Sequence, residues 1–276
     1  IKPLDPKQTV YLSVFNEESQ ENGFGKVNLA KPSKTLEYFT DTVTFKYVAG
    51  TKDSDRIFFQ KGNFRNCYDL YYTDDFFAPS TKVSAINPQM NDYRWGRAEL
   101  FRWKAYDGTP LKGLVFIPDG VKADGKLPVM IYFYEKNANN LYSFWTPAPS
   151  RSIVNIPFYT SRGYIVFVPD IVYKVGHPGE SAYNCICAGA EALCEAYPIA
   201  DKTKMAIQGQ SWGGYQTAWL ITRTNMFAAA GSGAPVGNMT SAYGGIRWGS
   251  GITRAGQYEH GQSRIGKSMW EPGALD

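Results

Sequence analysis

Ser211 sits in the run Gly209-Gln210-Ser211-Trp212-Gly213-Gly214, the only G-x-S-x-G of the chain. Gly261-Gln262-Ser263 begins a second but has Ile265 where its closing glycine belongs. Residues 204–208 read as a strand and residues 215–221 as a helix. A serine at the apex of a sharp strand-to-helix turn needs glycines around it, because a Cβ there meets neighbouring backbone. Such a nucleophile elbow holds Oγ out of the sheet. It also lets the N–H of Trp212, at the helix start, point at a developing oxyanion. The chemistry on offer is acyl transfer through a serine ester; the plain alternative is a tight turn with an idle serine.

Acyl transfer through serine needs a base. In α/β-hydrolases the acid and base follow the nucleophile in the order Asp or Glu, then His. After Ser211 the chain offers only Asp276, Glu259, Glu271 and His260. Glu259 then His260 fits that order. Adjacent residues, however, face opposite sides of a strand and diverge by about 100° on a helix. The pair is therefore expected to be badly placed for one to orient the other toward Ser211. His177 is the only other histidine and precedes the nucleophile. Asp170 ends an apolar run, where ligand-facing residues gather, with a local capping role as the alternative. The expectation is a nucleophile without its base, so that the 276-residue chain by itself is inactive.

Cys67, Cys185, Cys187 and Cys194 lack C-x-x-C redox or zinc spacing and read as buried free thiols; no metal and no cofactor is expected. The 276 residues carry a net charge of +4 with no dense Lys/Arg cluster, which argues against nucleic-acid or membrane-surface partners. No apolar run approaches the roughly 20 residues of a membrane span. The start at Ile1 has neither Met nor signal peptide, so a trimmed N-terminus is expected and the compartment is not readable from that end. Asn238-Met239-Thr240 matches a glycosylation sequon, relevant only on a eukaryotic secretory route.

The elements that must position Ser211 change character near residue 90. Residues 10–15, 26–29, 42–48, 56–60 and 68–72 are short aromatic and β-branched runs between polar turns. They fit one or two four-stranded propeller blades over residues 1–90, with an antiparallel sandwich fragment as the alternative. From residue 91 to 276 the pattern alternates. Residues 99–104 and 111–118 form a hairpin around 106–110. Residues 128–134 and 164–170 read as central parallel strands buried on both faces. A helix follows at 180–197, whose Ala188, Ala192 and Ala196 give a smooth packing face. The fold class expected is α/β: a partial α/β-hydrolase domain, its doubly wound sheet lacking the last strands, preceded by all-β blades of a β-propeller.

The runs GYIVFVPDIVYKVGHPGESAYN and MAIQGQSWGGYQTAWLITRTNMFAAAGSGAPVGNMTSAYGGIRWGSG resemble the catalytic domain of the prolyl oligopeptidase family of serine peptidases. The nearest branch holds dipeptidyl peptidase IV and bacterial dipeptidyl or tripeptidyl peptidases. The likeness spans residues 94–270, and in that family a β-propeller precedes and caps the hydrolase domain. It implies Ser211 as the acylated nucleophile, Trp212 as one oxyanion donor through its N–H, and the Tyr134 hydroxyl as the other. Val236 and Tyr243 fall where the family lines its pocket for proline or another small P1 side chain. Where the family has Gly-Gly-Pro after its tyrosine, this chain has Glu135-Lys136-Asn137. The family's triad Asp and His have no counterpart in this sequence. A peptide is the expected partner, a homo-oligomeric full-length parent stays open, and the likeness points to a periplasmic or exported setting. An esterase with the same machinery and a non-catalytic fragment that binds peptides or a partner are the competing functions.

Overall fold

The computed structural model describes residues 9–274 apart from 32, 34, 53, 55, 123, 151 and 152, so Asp276 lies outside the described residues. Two units can be separated by their internal contacts. One comprises the chain up to Trp95 together with Asn139–Trp145, the other Gly96–Ala138 and the chain from Thr146 onward.

The first unit is built of antiparallel meanders. Strands β1 (Thr9–Phe15), β2 (Asn22–Asn28) and β3 (Glu37–Asp41) form a three-stranded sheet. Strands β4 (Thr44–Gly50), β5 (Ile57–Gly62), β6 (Asp69–Thr73) and β7 (Thr81–Lys82) form a four-stranded one. Five strands were expected here; β3 and the two-residue β7 are additional. Both are poorly buried, and a strand without a buried face carries little alternating signal. An aromatic cluster holds the unit together, with Phe24 stacked on Phe76 at 3.8 Å between centroids and Phe45 edge-on to Phe24 at 5.0 Å. Asp75 accepts hydrogen bonds from Lys26 at 2.5 Å and Tyr11 at 3.1 Å.

The second unit opens with the hairpin β8 (Arg97–Lys104) and β9 (Pro110–Ile117), then continues with β10 (Leu127–Tyr132), α1 (Ile156–Thr160), β11 (Ile165–Pro169), α2 (Pro178–Ala196), β12 (Ala200–Gln210), α3 (Trp212–Leu220), β13 (Ala229–Gly233), α4 (Met239–Tyr243) and α5 (Ala255–Glu259). The sheet order is β13-β12-β10-β11-β9-β8. Strands β10 to β13 pair in parallel, while β9 joins β11 antiparallel. The chain leaves β10 for β11 on one side, then returns past it to β12 on the other. That reversal is the switch point of a doubly wound sheet, where a crevice opens at the carboxyl ends of the strands.

The continuous apolar runs of β10 and β11 are buried on both faces, as their composition predicts: Val129, Ile131, Ile165 and Phe167 are fully enclosed. Of the face expected on α2, Ala188 is buried and Ala192 packs partly against the core. Ala196 is exposed, and the buried stripe runs through Ala182, Cys185, Ile186, Gly189 and Leu193. Gly189 sets the approach, since a Cβ there would lie 2.9 Å from the Trp103 ring and 3.1 Å from that of Phe167. Burial pushes the thiols of Cys185 and Cys187 up to about 11 and about 12, so both are free, protonated and unreactive at neutral pH.

Candidate active site

Ser211 joins β12 to α3 with φ 60° and ψ −110°, a conformation that side chains with a Cβ rarely adopt. Its N–H donates to Gly233 O at 2.9 Å, and its own carbonyl accepts from Tyr215 N at 3.0 Å. The surrounding glycines are steric requirements. A Cβ on Gly209 would lie 2.2 Å from Gly213 O; one on Gly213, 2.6 Å from Phe133 O; one on Gly214, 2.4 Å from Gly233 O. The elbow is thus wedged between the ends of β10 and β13. Trp212 occupies the first position of α3, where backbone N–H groups have no intrahelical acceptor. Its indole is buried, stacks on Tyr215 at 4.5 Å and donates to Tyr173 Oη at 3.1 Å.

Tyr134 lies two residues beyond the end of β10, in a turn rather than closing the strand. Its position beside the elbow follows from Gly213, whose missing Cβ would stand 3.9 Å from the Tyr134 ring. Several residues without a motif hold this turn. Gln216 Nε2 donates to Tyr134 O at 3.1 Å and also to Tyr173 Oη, while Tyr173 Oη donates to Tyr134 O at 3.3 Å. Glu135 pairs with Arg264. The hydroxyl of Tyr134 accepts from Gln262 Nε2. Sequence reasoning missed Gln216, Tyr173, Gln262 and Arg264 as supports. The one signal available was that Gln262 and Arg264 fall near the false start of a second serine motif.

Asp170 follows β11 and is a cap, the alternative reading of that residue. One carboxylate oxygen accepts from Asn137 N at 2.6 Å and from Ala138 N at 3.0 Å, anchoring the far end of the Tyr134 turn. Burial raises its pKa above the ordinary carboxylate range, against the pull of those two donors. A folded value above the unfolded one means that the native state binds more protons between the two, so this contribution to stability is lost as pH rises through the folded value. Asp170→Asn keeps an oxygen for both amides and removes the charge. It should flatten the decline above about pH 4 and leave neutral-pH stability equal or higher. Asp170→Ala strands one buried and one part-buried donor and should cost about 2 kcal/mol. Urea unfolding between those limits separates the two, and equal losses in both variants would contradict the capping role.

The two histidines are placed away from any described bond to Ser211. His177 precedes α2, pairs with Glu180 at 2.7 Å and lines a cavity of about 660 Å³ with Tyr215, Trp219, Arg223 and Lys267. His260 ends α5 with its side chain 75% exposed. Contrary to the expected divergence, His260 Nε2 does reach Glu259 Oε2, at 3.3 Å. His260 is the first residue past α5, with φ −118° and ψ −21°, and the long glutamate side chain spans the gap to its ring. Glu259 also accepts from Tyr243 Oη, so this acid faces Tyr243 and solvent-exposed His260. Tyr243, at the end of α4, lines a cavity of about 30 Å³ with Met239, Thr240, Ile265, Lys267, Met269 and Ala274. Val236 follows β13, half-buried, and does not line that cavity. Asn238 caps α4 through its side chain, accepting from Ser241 N at 2.9 Å and Thr240 Oγ1 at 2.7 Å. Among the described residues no cluster of His, Cys, Asp and Glu could hold a metal ion, and no helix is long and apolar enough to cross a membrane.

Ser211 thus stands on a strained turn, with Trp212 at the helix start and the Tyr134 ring beside the turn. Residues 149–265 match the family model described as the prolyl oligopeptidase family. Dipeptidyl peptidase 8 of Mus musculus is 24% identical over 192 residues, 60% of this chain and 19% of that protein. Among solved structures, the acylaminoacyl peptidase of Pyrococcus horikoshii superposes with a TM-score of 0.64 at 19% identity, over 85% of this chain and 37% of that one. Prolyl oligopeptidase B from Galerina marginata gives 0.60 at 20% identity, over 96% and 37%. These superpositions take in the antiparallel sheets as well as the mixed sheet, and bear out an α/β-hydrolase sheet preceded by propeller-type blades. The chain spans less than two fifths of the length of these relatives. Over residues 149–265, the stretch that holds the Ser211 elbow, this chain is similar to the prolyl oligopeptidase family.

Proposed function

We propose that this chain carries the nucleophile and oxyanion-binding part of a serine peptidase that releases dipeptides or short oligopeptides. What carries the reading is the φ 60° elbow at Ser211 packed, through Gly213, against the Phe133 backbone and the Tyr134 ring. Ser211 Oγ attacks the scissile carbonyl carbon, its proton passes to a base, and the amine leaves with that proton. Water then hydrolyses the acyl-enzyme by the same route in reverse. The Trp212 N–H and the Tyr134 hydroxyl donate to the carbonyl oxygen as it becomes an oxyanion. His177 and His260 are engaged by Glu180 and Glu259, so in this reading the base is supplied by a histidine outside these 276 residues, and the chain alone acylates slowly.

In this reading Val236 and Tyr243 wall the P1 site, the role the family resemblance implies for them, and proline or another small side chain is favoured there. The test is a series of chromogenic dipeptide substrates, differing only at P1, offered to the full-length protein. Proline or alanine should exceed phenylalanine in kcat/KM by about tenfold or more. Equal rates, or a preference for phenylalanine, would overturn the P1 assignment. Hydrolysis of simple esters but none of these amides would favour an esterase.

A further inference from the structure

We propose that Arg247, Gln257 and Gln262 form a one-way hydrogen-bond relay that turns the Tyr134 hydroxyl proton toward the oxyanion. The proposal rests on the peptidase reading of Tyr134 and adds positioning residues to it. Arg247 Nη2 donates to Gln257 Oε1 at 2.6 Å. A guanidinium only donates, so the amide of Gln257 must present its oxygen to Arg247 and its NH₂ elsewhere. Gln257 Nε2 in turn donates to Gln262 Oε1 at 3.1 Å. That fixes the second amide the same way, leaving Gln262 Nε2 to donate to Tyr134 Oη. Reversing either amide sets donor against donor. The phenol oxygen is therefore an acceptor toward Gln262, and its single proton is left to point away from the relay. Chains of this kind polarise each member in turn.

The relay ends on a residue that the rest of the site holds still. Arg264 Nη1 donates to Gln262 O at 2.9 Å, its Nη2 pairs with Glu135, and its guanidinium lies 4.9 Å over the Tyr173 ring. Arg264 itself has φ 48°, and its carbonyl accepts from Gly176 N at 2.8 Å. A strained backbone tied at so many points is over-determined by its surroundings. Glu135, which stands where the family resemblance leads one to expect glycine, is thus part of the clamp.

The discriminating variant is Gln262→Glu, nearly isosteric but able only to accept at neutral pH. Its carboxylate accepts a hydrogen bond from the phenol O–H and so turns that donor away from the oxyanion. In the full-length protein it should lower kcat about 100-fold, as Tyr134→Phe should, with KM changed less than about twofold. In a Tyr134→Phe background the same substitution should change kcat less than about twofold. Activity retained by Gln262→Glu, or an equal loss in both backgrounds, overturns the relay. A readout independent of turnover is the ¹⁹F resonance of 3-fluorotyrosine at position 134. It should move in Gln262→Met and stay in Ser211→Ala; a resonance unmoved by Gln262→Met overturns the relay even if the protein proves to be no peptidase. Wild-type protein inert toward both peptides and phosphonates, with the resonance shift intact, would instead sink the peptidase reading alone.

Discussion

Replacing Ser211 with alanine in the full-length protein is expected to lower kcat about 10⁶-fold while leaving the fold unchanged. The oxygen is the group that forms the acyl bond, so nothing else in the site can substitute for it. Residual turnover comes only from substrate binding and the oxyanion donors. The fold should survive because the elbow is built from backbone. Its fixed points are the Ser211 N–H to Gly233 and the Ser211 carbonyl to Tyr215. Alanine keeps the Cβ, so the strain at φ 60° is neither relieved nor raised. Thermal unfolding alongside kcat checks both halves. A loss smaller than about tenfold with an unchanged melting temperature would place the nucleophile elsewhere.

The second large effect falls on stability. Gly209→Ala would put a methyl group 2.2 Å from Gly213 O, 2.3 Å from Gly213 C and 2.8 Å from Gly213 Cα. All three are backbone atoms of the elbow. No side chain can swing aside, so either the turn opens or β12 separates from α3. A loss of about 3 kcal/mol or more is expected, with phosphonate labelling of Ser211 falling in step. Gly237→Ala is the control, since no atom stands within 4 Å of the added methyl, and it should lie within about 0.5 kcal/mol of the parent. Similar unfolding midpoints in urea for the two variants would contradict the steric account of the motif.

The same contrast explains which parts of the fold and site are legible in the sequence. Where one element decides, the pattern is readable. The apolar runs of β10 and β11 announce buried parallel strands, and three glycines within six residues announce a turn that only glycine can make. Where distant segments meet, it is not. Tyr134 is held by Gln216 and Gln262, 82 and 128 residues away, and its turn is capped by Asp170 from another strand. Glutamine, arginine and aspartate in loops have no period and no motif, and any of them reads equally well as solvated surface. The contact between Glu259 and His260 was hidden for another reason. Helix geometry separates neighbours, but the helix ends between these two, and a terminus does not obey the interior rule.

The most direct test is to treat the full-length protein with a fluorophosphonate and map the adduct by peptide mass. A single stoichiometric adduct on Ser211, with loss of amide hydrolysis in proportion to labelling, is the predicted result. An adduct on another residue, or complete labelling of Ser211 with amide hydrolysis retained, would contradict the claim that the elbow serine is the acylated nucleophile.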